Sequence, residues 1–364
     1  MTPQPPDPPA SSPDPPTTEP DPSLPGATPA PPSDDGASRP APPPRLGAST
    51  FTIEGRAAPG LFVLGWLATL TGIGAIVVAI MSGTGLAGSL LLLGGLIVLS
   101  IGLVAGAGGQ AIERRAQGRL PYVGPSPFLV FLAGIPLSGV LLIATGFVFD
   151  MLGISVDGPL GRLASVVVQA VVYIGLIRFL VVGTGALSWR AMGITRPQLP
   201  ALGDLGLGAL AALPVILATI PVAALVTRFL PTPPQSPLPP AGDLPGTLVN
   251  LLAGVVVAPI SEEIMFRGFA TTAWMKGMGR WRGVIRGALF FAVVHVLTIS
   301  GVDARQAVGV ALAAFLGRIP VAFALGWLFQ RTGTIWAPLG LHAAFNGILL
   351  VLAEVAARSG IPAP

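Results

Sequence analysis

Nine stretches of the chain are apolar almost without interruption, at about 61–82, 86–107, 127–149, 164–187, 204–227, 245–273, 284–299, 306–330 and 335–357. Runs of about 20 apolar residues suit helices that cross a bilayer. In hydrocarbon only a helix or a closed barrel satisfies its own backbone polar groups. The pattern therefore predicts an all-α protein, a polytopic transmembrane bundle of about nine helices. Glycine is frequent within the runs, and Gly102 with Gly106 makes a small-xxx-small pair suited to close helix packing. Pro136, Pro214, Pro221, Pro259 and Pro320 predict kinks.

Before the first run lies a segment of another character. Residues 1–58 hold 18 of the 40 prolines, interspersed with Ser, Thr, Asp and Ala. Such a segment buries too little apolar surface to offset its ordering entropy, and a disordered Pro-rich tail is expected. Any partner of that tail is left unspecified by its residues. The predicted organisation is the tail (1–58), a first group of transmembrane helices (59–187) and a second group (188–358) that holds the unusual polar residues.

Composition agrees with a membrane protein, since 52% of residues are apolar and 10% charged, against about a quarter charged in soluble chains. The excess of basic residues does not point to nucleic acid, because it gathers in short loops. Arg114, Arg115 and Arg119 follow the second run, and Arg190 and Arg196 the fourth. Lys276, Arg280, Arg282 and Arg286 follow the sixth, and Arg331 the eighth. The positive-inside rule then places the tail in the cytoplasm and the end of the last helix outside. The Gly-, Ala-, Pro- and Arg-rich composition suggests a bacterial plasma membrane. There is no cysteine, which excludes thiolate ligands and a cysteine nucleophile.

Candidate chemistry enters with the polar residues inside apolar runs, where charge is costly and marks function by default. Glu262, Glu263 and Arg267 lie in the sixth run, His295 in the seventh, and His342 and Asn346 in the ninth; the chain has no other histidine. With the loop-derived orientation and a rise of about 1.5 Å per residue, Glu262 and His295 lie roughly 16 Å from the cytoplasmic end of their helices. His342 and Asn346 lie about 10 to 17 Å deep. Three helices thus bring their polar groups to one level. Glu263 with Arg267, Phe291 with His295, and His342 with Asn346 are each four residues apart and share a helix face. Glu262 and Glu263 point about 100° apart. Glu263 is expected to pair with Arg267, leaving Glu262 free to face the histidines. Arg178 and Arg318, also within apolar runs, are expected to snorkel or to bond between helices.

The series Glu262-Glu263-Ile264-Met265-Phe266-Arg267, Phe291-Ala292-Val293-Val294-His295 and His342-Ala343-Ala344-Phe345-Asn346 resembles the CPBP family. That family contains the type II CAAX prenyl endopeptidases and the Abi-type, bacteriocin-processing membrane proteins. The segment Arg331–Pro338 resembles the loop leading into the family's last motif, and the likeness covers about residues 190–350. The resemblance implies an intramembrane endopeptidase acting on a peptide or protein substrate held in the lipid bilayer. It implies that Glu262 and His295 activate water while His342 and Asn346 hold the oxyanion, with Glu263 in the catalytic group and Arg267 and Phe291 in support. Two cofactor states stay open: no metal, with direct glutamate chemistry, or zinc bound by Glu262, His295 and His342 as a His₂Glu set.

Other protease signatures are absent from the sequence: no His-Glu-x-x-His, no Gly-x-Ser-x-Gly and no paired Gly-x-Gly-Asp. Two alternatives of other classes are a proton-coupled transporter using the buried Glu and His, and a non-catalytic membrane scaffold. A transporter calls for an internal repeat, and the Glu-Glu-xxx-Arg segment has no second copy.

Overall fold

A computed structural model of the chain describes residues 52–83, 85–118, 120–229, 238–297 and 303–359. The Pro-rich tail up to residue 51 and residues 230–237, between the fifth and sixth apolar runs, lie outside the described residues. Among the described residues there are nine helical rods and no strand: α1 (Pro59–Ser82), α2 (Leu86–Gln117), α3 (Pro127–Met151), α4 (Pro159–Val182), α5 (Leu199–Phe229), α6 (Leu244–Met278), α7 (Arg280–Val294), α8 (Ala304–Thr332) and α9 (Trp336–Arg358). The protein is an all-α bundle, as its apolar pattern predicts.

Local chemistry sets many of the boundaries. Proline occupies the first turn of α1, α3 and α4, where its missing N–H leaves no bond unmade and its fixed φ suits a helix start. Asp243 and Asp303 cap α6 and α8 by accepting from the backbone N–H of Gly246 and Gln306 at 2.7 and 2.8 Å. Gly333, in left-handed conformation, closes α8 and donates its N–H to Phe329 O at 2.9 Å.

Eight of the nine rods are long and apolar enough to cross a membrane. Their outward faces are apolar too: Leu67, Met81, Phe147, Phe179 and Leu210 are all exposed, as expected where the surrounding solvent is lipid. The exception is α7. A span was expected over 284–299, yet the helix ends at Val294 after 15 residues, about 22 Å, short of the hydrocarbon thickness. The cause is local. The ring of His295 bonds the carbonyl of Phe291 at 2.7 Å, and the next amides turn back by three residues, Val296 to Val293 O and Leu297 to Val294 O. A tight last turn of this kind ends a helix.

Helices approach closely where glycine permits it. A Cβ on Gly208 of α5 would overlap the carbonyl of Ala337 of α9, and one on Gly340 would overlap the carbonyl of Leu205. The two backbones are therefore in reciprocal contact. The segment leading into α9 is further fixed by Ile335 N–H donating to Gly193 O at 3.1 Å, Thr334 Oγ1 to Asp204 Oδ2 at 2.8 Å, and Trp336 Nε1 to Thr195 Oγ1 at 3.1 Å. Six residues of α9 separate Ile335 from His342, so these bonds set where that ring stands. The core between α3, α4, α6 and α7 is aromatic, with Phe266 edge-on to Phe290, Phe291 and Tyr173.

Candidate active site

The first contributor is α6, which is not a uniform α-helix. Its hydrogen bonding widens to the i→i+5 pattern over Leu252–Val257, returns to α over Ala258–Glu262 and widens again over Glu263–Thr271. Pro259 has no N–H to give to an α ladder, which accounts for a change of register on entering this stretch. In the second wide segment the hydroxyls of Thr271 and Thr272 donate to the carbonyls of Phe266 and Arg267 at 2.8 and 3.3 Å. Wide turns of this kind recur at functional sites. Here Glu262 and Glu263 sit on the boundary between the two registers.

Glu263 is fully buried and Arg267 very nearly so. Arg267 Nη1 donates to Glu263 Oε1 at 3.0 Å, the pairing expected from their spacing. A second bond was not expected: the same Oε1 lies 2.8 Å from Nδ1 of His342. Glu263 thus ties α6 to α9. Glu262 and Glu263, expected about 100° apart, do not meet at a point, but they reach opposite nitrogens of the His342 ring.

Both rings are oriented by the same logic. His295 Nδ1 faces a carbonyl and His342 Nδ1 faces an arginine-paired carboxylate; both partners only accept, so each Nδ1 carries a proton. Each Nε2 then turns toward Glu262, at 3.5 Å for His295 and 3.7 Å for His342, both measured to Oε2. Two ring nitrogens and a carboxylate oxygen, from three segments of the chain, therefore converge. The Glu262 and His295 side chains retain 12% and 23% of their exposure, against 0% for Glu263 and 5% for His342. The cluster is thus open on the Glu262–His295 side and sealed behind.

Phe291 is the wall between these groups. Its ring centroid lies 4.3 Å from that of His295 and 5.7 Å from that of His342. The guanidinium carbon of Arg267 stands 4.1 Å over its face, a cation–π contact in a dry environment. Asn346 is placed differently. Its Nδ2 donates to Gly254 O at 2.9 Å, a carbonyl in the first wide segment of α6, and among the described residues no hydrogen bond joins it to the glutamates or the rings. The structure thus brings together Glu262, Glu263, Arg267, Phe291, His295 and His342, and sets Asn346 one turn along α9 with one amide proton already committed.

Arg318 on α8 donates Nη1 to Ala314 O of its own helix at 3.2 Å. It was expected to snorkel or to bond between helices, and it stands 14 residues from either end of α8.

In donor chemistry, Glu262 and the two Nε2 atoms suit a His₂Glu zinc set, with each Nδ1 held by a carbonyl or a carboxylate, as the far nitrogen of a metal-bound histidine usually is.

Comparison with known proteins adds one finding. Residues 244–348 match the family model described as type II CAAX prenyl endopeptidase Rce1-like, a stretch that spans α6 to most of α9 and contains all seven predicted site residues. Neither a curated protein nor a solved structure gives a match. The match covers under a third of the chain, and α1 to α5 lie outside it. The helices that carry the glutamates and both histidines thus form a domain of the Rce1-like type II CAAX prenyl endopeptidase family.

Proposed function

We propose that the protein is an intramembrane endopeptidase in which Glu262, assisted by His295, activates water for attack on a peptide bond of a membrane-associated or lipidated substrate. The observation that carries this reading is the convergence of His295 Nε2 and His342 Nε2 on a single oxygen of Glu262. The family match, which is to endopeptidases, supports it independently.

A carboxylate oxygen and an imidazole lone pair, both acceptors, hold a water by its protons and leave its oxygen lone pair for the carbonyl carbon. Glu262 Oε2 takes the proton as the water oxygen bonds to that carbon. His342 in its protonated form presents Nε2–H to the developing oxyanion, with Glu263 at Nδ1 as the counter-charge that stabilises an imidazolium. The free N–H of Asn346 is the second donor in this scheme. Collapse of the tetrahedral intermediate breaks the C–N bond, and the proton on Glu262 passes to the leaving nitrogen. Arg267 and Phe291 hold Glu263 and the rings in place and take no part in bond changes. No step calls for a metal ion.

The test is hydrolysis of membrane-embedded peptides by purified protein, comparing wild type with Glu262→Gln and His295→Ala. The expected loss is about 10² to 10⁴ in kcat for each, the usual contribution of a positioned acid–base group. Equal turnover by all three proteins would defeat the proposal.

A further inference from the structure

Between α1, α2 and α3 lies a cavity of about 520 Å³ that the scheme above does not use. Along much of its length the walls are apolar: Phe62 and Trp66 of α1, Leu103 of α2 and Leu129 of α3. A Cβ on Gly106 of α2 would meet only Leu129, at 3.9 Å, so no side chain fills the space over that glycine. Trp66 is exposed, and the groove opens outward beside it. The other end is polar. There Arg56 Nη1 pairs with Glu113 Oε1 at 3.3 Å, and Gln110 Oε1 accepts the N–H of Ser126 at 2.5 Å. Arg114 Nη1 donates to Gly124 O at 2.7 Å. Arg56 and Glu113 offset each other, whereas among the described residues no carboxylate lies within ion-pair distance of Arg114. The polar end thus carries a net positive charge, centred on Arg114.

We propose that this cavity binds an anionic phospholipid of the surrounding bilayer, with one acyl chain along the apolar walls and the phosphate at Arg114. The dimensions agree. From Gly102 to Arg114 the groove follows α2 for about 18 Å, and one leaflet contributes about half of the 30 Å hydrocarbon core. The helix α2 has 32 residues, about 48 Å, enough to cross the hydrocarbon and both headgroup regions. Arg114, three residues from its end, therefore stands among headgroups. Apolar walls alone do not choose between lipids, because a tail is equally at home in the bilayer. The choice falls to charge. A guanidinium is always charged and its planar fork matches a phosphate, and basic pockets between membrane helices hold anionic headgroups. In a zwitterionic lipid the ammonium offsets the phosphate, so the net charge at Arg114 favours an anionic one. The proposal is independent of the peptidase reading, since α1 to α3 lie outside the matched stretch 244–348.

The experiment titrates delipidated full-length protein in micelles with phosphatidylglycerol or phosphatidylcholine of identical acyl chains and follows the first lipid bound by native mass spectrometry. Wild type is expected to bind phosphatidylglycerol about fivefold more tightly, the scale of one arginine facing an anionic lipid. Arg114→Gln should erase that preference and Arg114→Lys retain part of it. Gly106→Leu, which places a side chain in the groove, should weaken the binding of both lipids. Arg305→Gln, at an exposed position near the start of α8, should behave as wild type. Thermal unfolding shows that each variant is folded. Wild type that binds neither lipid, or both alike, overturns the proposal whatever the variants do. So does a preference that survives Arg114→Gln, or uptake by Gly106→Leu equal to wild type. An equal loss of preference in Arg305→Gln and Arg114→Gln also overturns it, in favour of diffuse surface charge.

Discussion

Glu263 Oε1 and His342 Nδ1 are 2.8 Å apart, and the same oxygen receives Arg267 Nη1 at 3.0 Å. One buried carboxylate thus fixes both a guanidinium on its own helix and an imidazole from α9. A buried pair broken on one side leaves an uncompensated charge, which costs about 3–5 kcal/mol. Glu263→Ala should therefore lower stability by about that amount, measured as thermal or denaturant unfolding in micelles. Glu263→Gln keeps the shape and an acceptor oxygen while removing the counter-charge. It is expected to stay folded and yet lose turnover, because the negative charge facing His342 Nδ1 is gone.

Glu262 should show the opposite balance. Its Oε2 is buried and has no hydrogen-bond partner among the described residues, an arrangement that costs stability and persists at sites of chemistry. Glu262→Gln is expected to leave unfolding unchanged or shift it upward while abolishing measurable hydrolysis. If both properties fell together, Glu262 would be holding the fold and its assignment as base would be wrong.

How far the chain announces this site can be judged from these two glutamates. Their presence in an apolar run was enough to mark them, because each charge there needs a partner or a task. The i, i+4 spacing gave Arg267 to Glu263 correctly. The bond from His342 to Glu263 was not legible, since helical-wheel reasoning treats α6 as a regular α-helix and a ring as one point. The register changes in α6 depend on hydrogen bonds that apolar periodicity does not encode. The early end of α7 was hidden for a related reason: Leu297 continues the apolar run, and only the bond from the His295 ring to its own helix shows that the chain has turned.

Asn346 is a case in which the partner lay outside sequence reasoning. Its Nδ2 satisfies Gly254 O, and that carbonyl sits in a wide turn of α6. Asn346→Ala should cost about 1 kcal/mol through the lost interhelical bond. If the remaining N–H also meets the oxyanion, as proposed, kcat falls by about 10² or more at little change in KM. Steady-state kinetics beside unfolding separates the two contributions, and a loss of stability without loss of kcat would confine Asn346 to packing.

Metal removal gives a prediction of opposite sign for the two cofactor states. Direct glutamate chemistry requires that activity survive exhaustive chelation and that elemental analysis of the active preparation find no stoichiometric zinc. Loss of activity on chelation, restored by zinc, would reassign Glu262, His295 and His342 as ligands and replace the acid–base scheme.

The last prediction concerns how α9 is held in place. Gly208 and Gly340 allow reciprocal backbone contact between α5 and α9, and a Cβ at either would overlap a carbonyl of the other helix. Backbone cannot give way as a flexible side chain can, so the helices must separate. Gly340 lies two residues before His342, and a shift of α9 there moves the ring relative to Glu262 and Glu263. A misplacement of about 1 Å is enough to cost about 10² in rate. Gly340→Ala is therefore expected to lower kcat by more than its effect on unfolding explains. Gly139→Ala, whose added methyl meets only the side chain of Leu96 at 3.3 Å on a helix pair away from the site, should leave both nearly unchanged. Equal kinetics for the two variants would show that the contact between α5 and α9 does not set the position of His342.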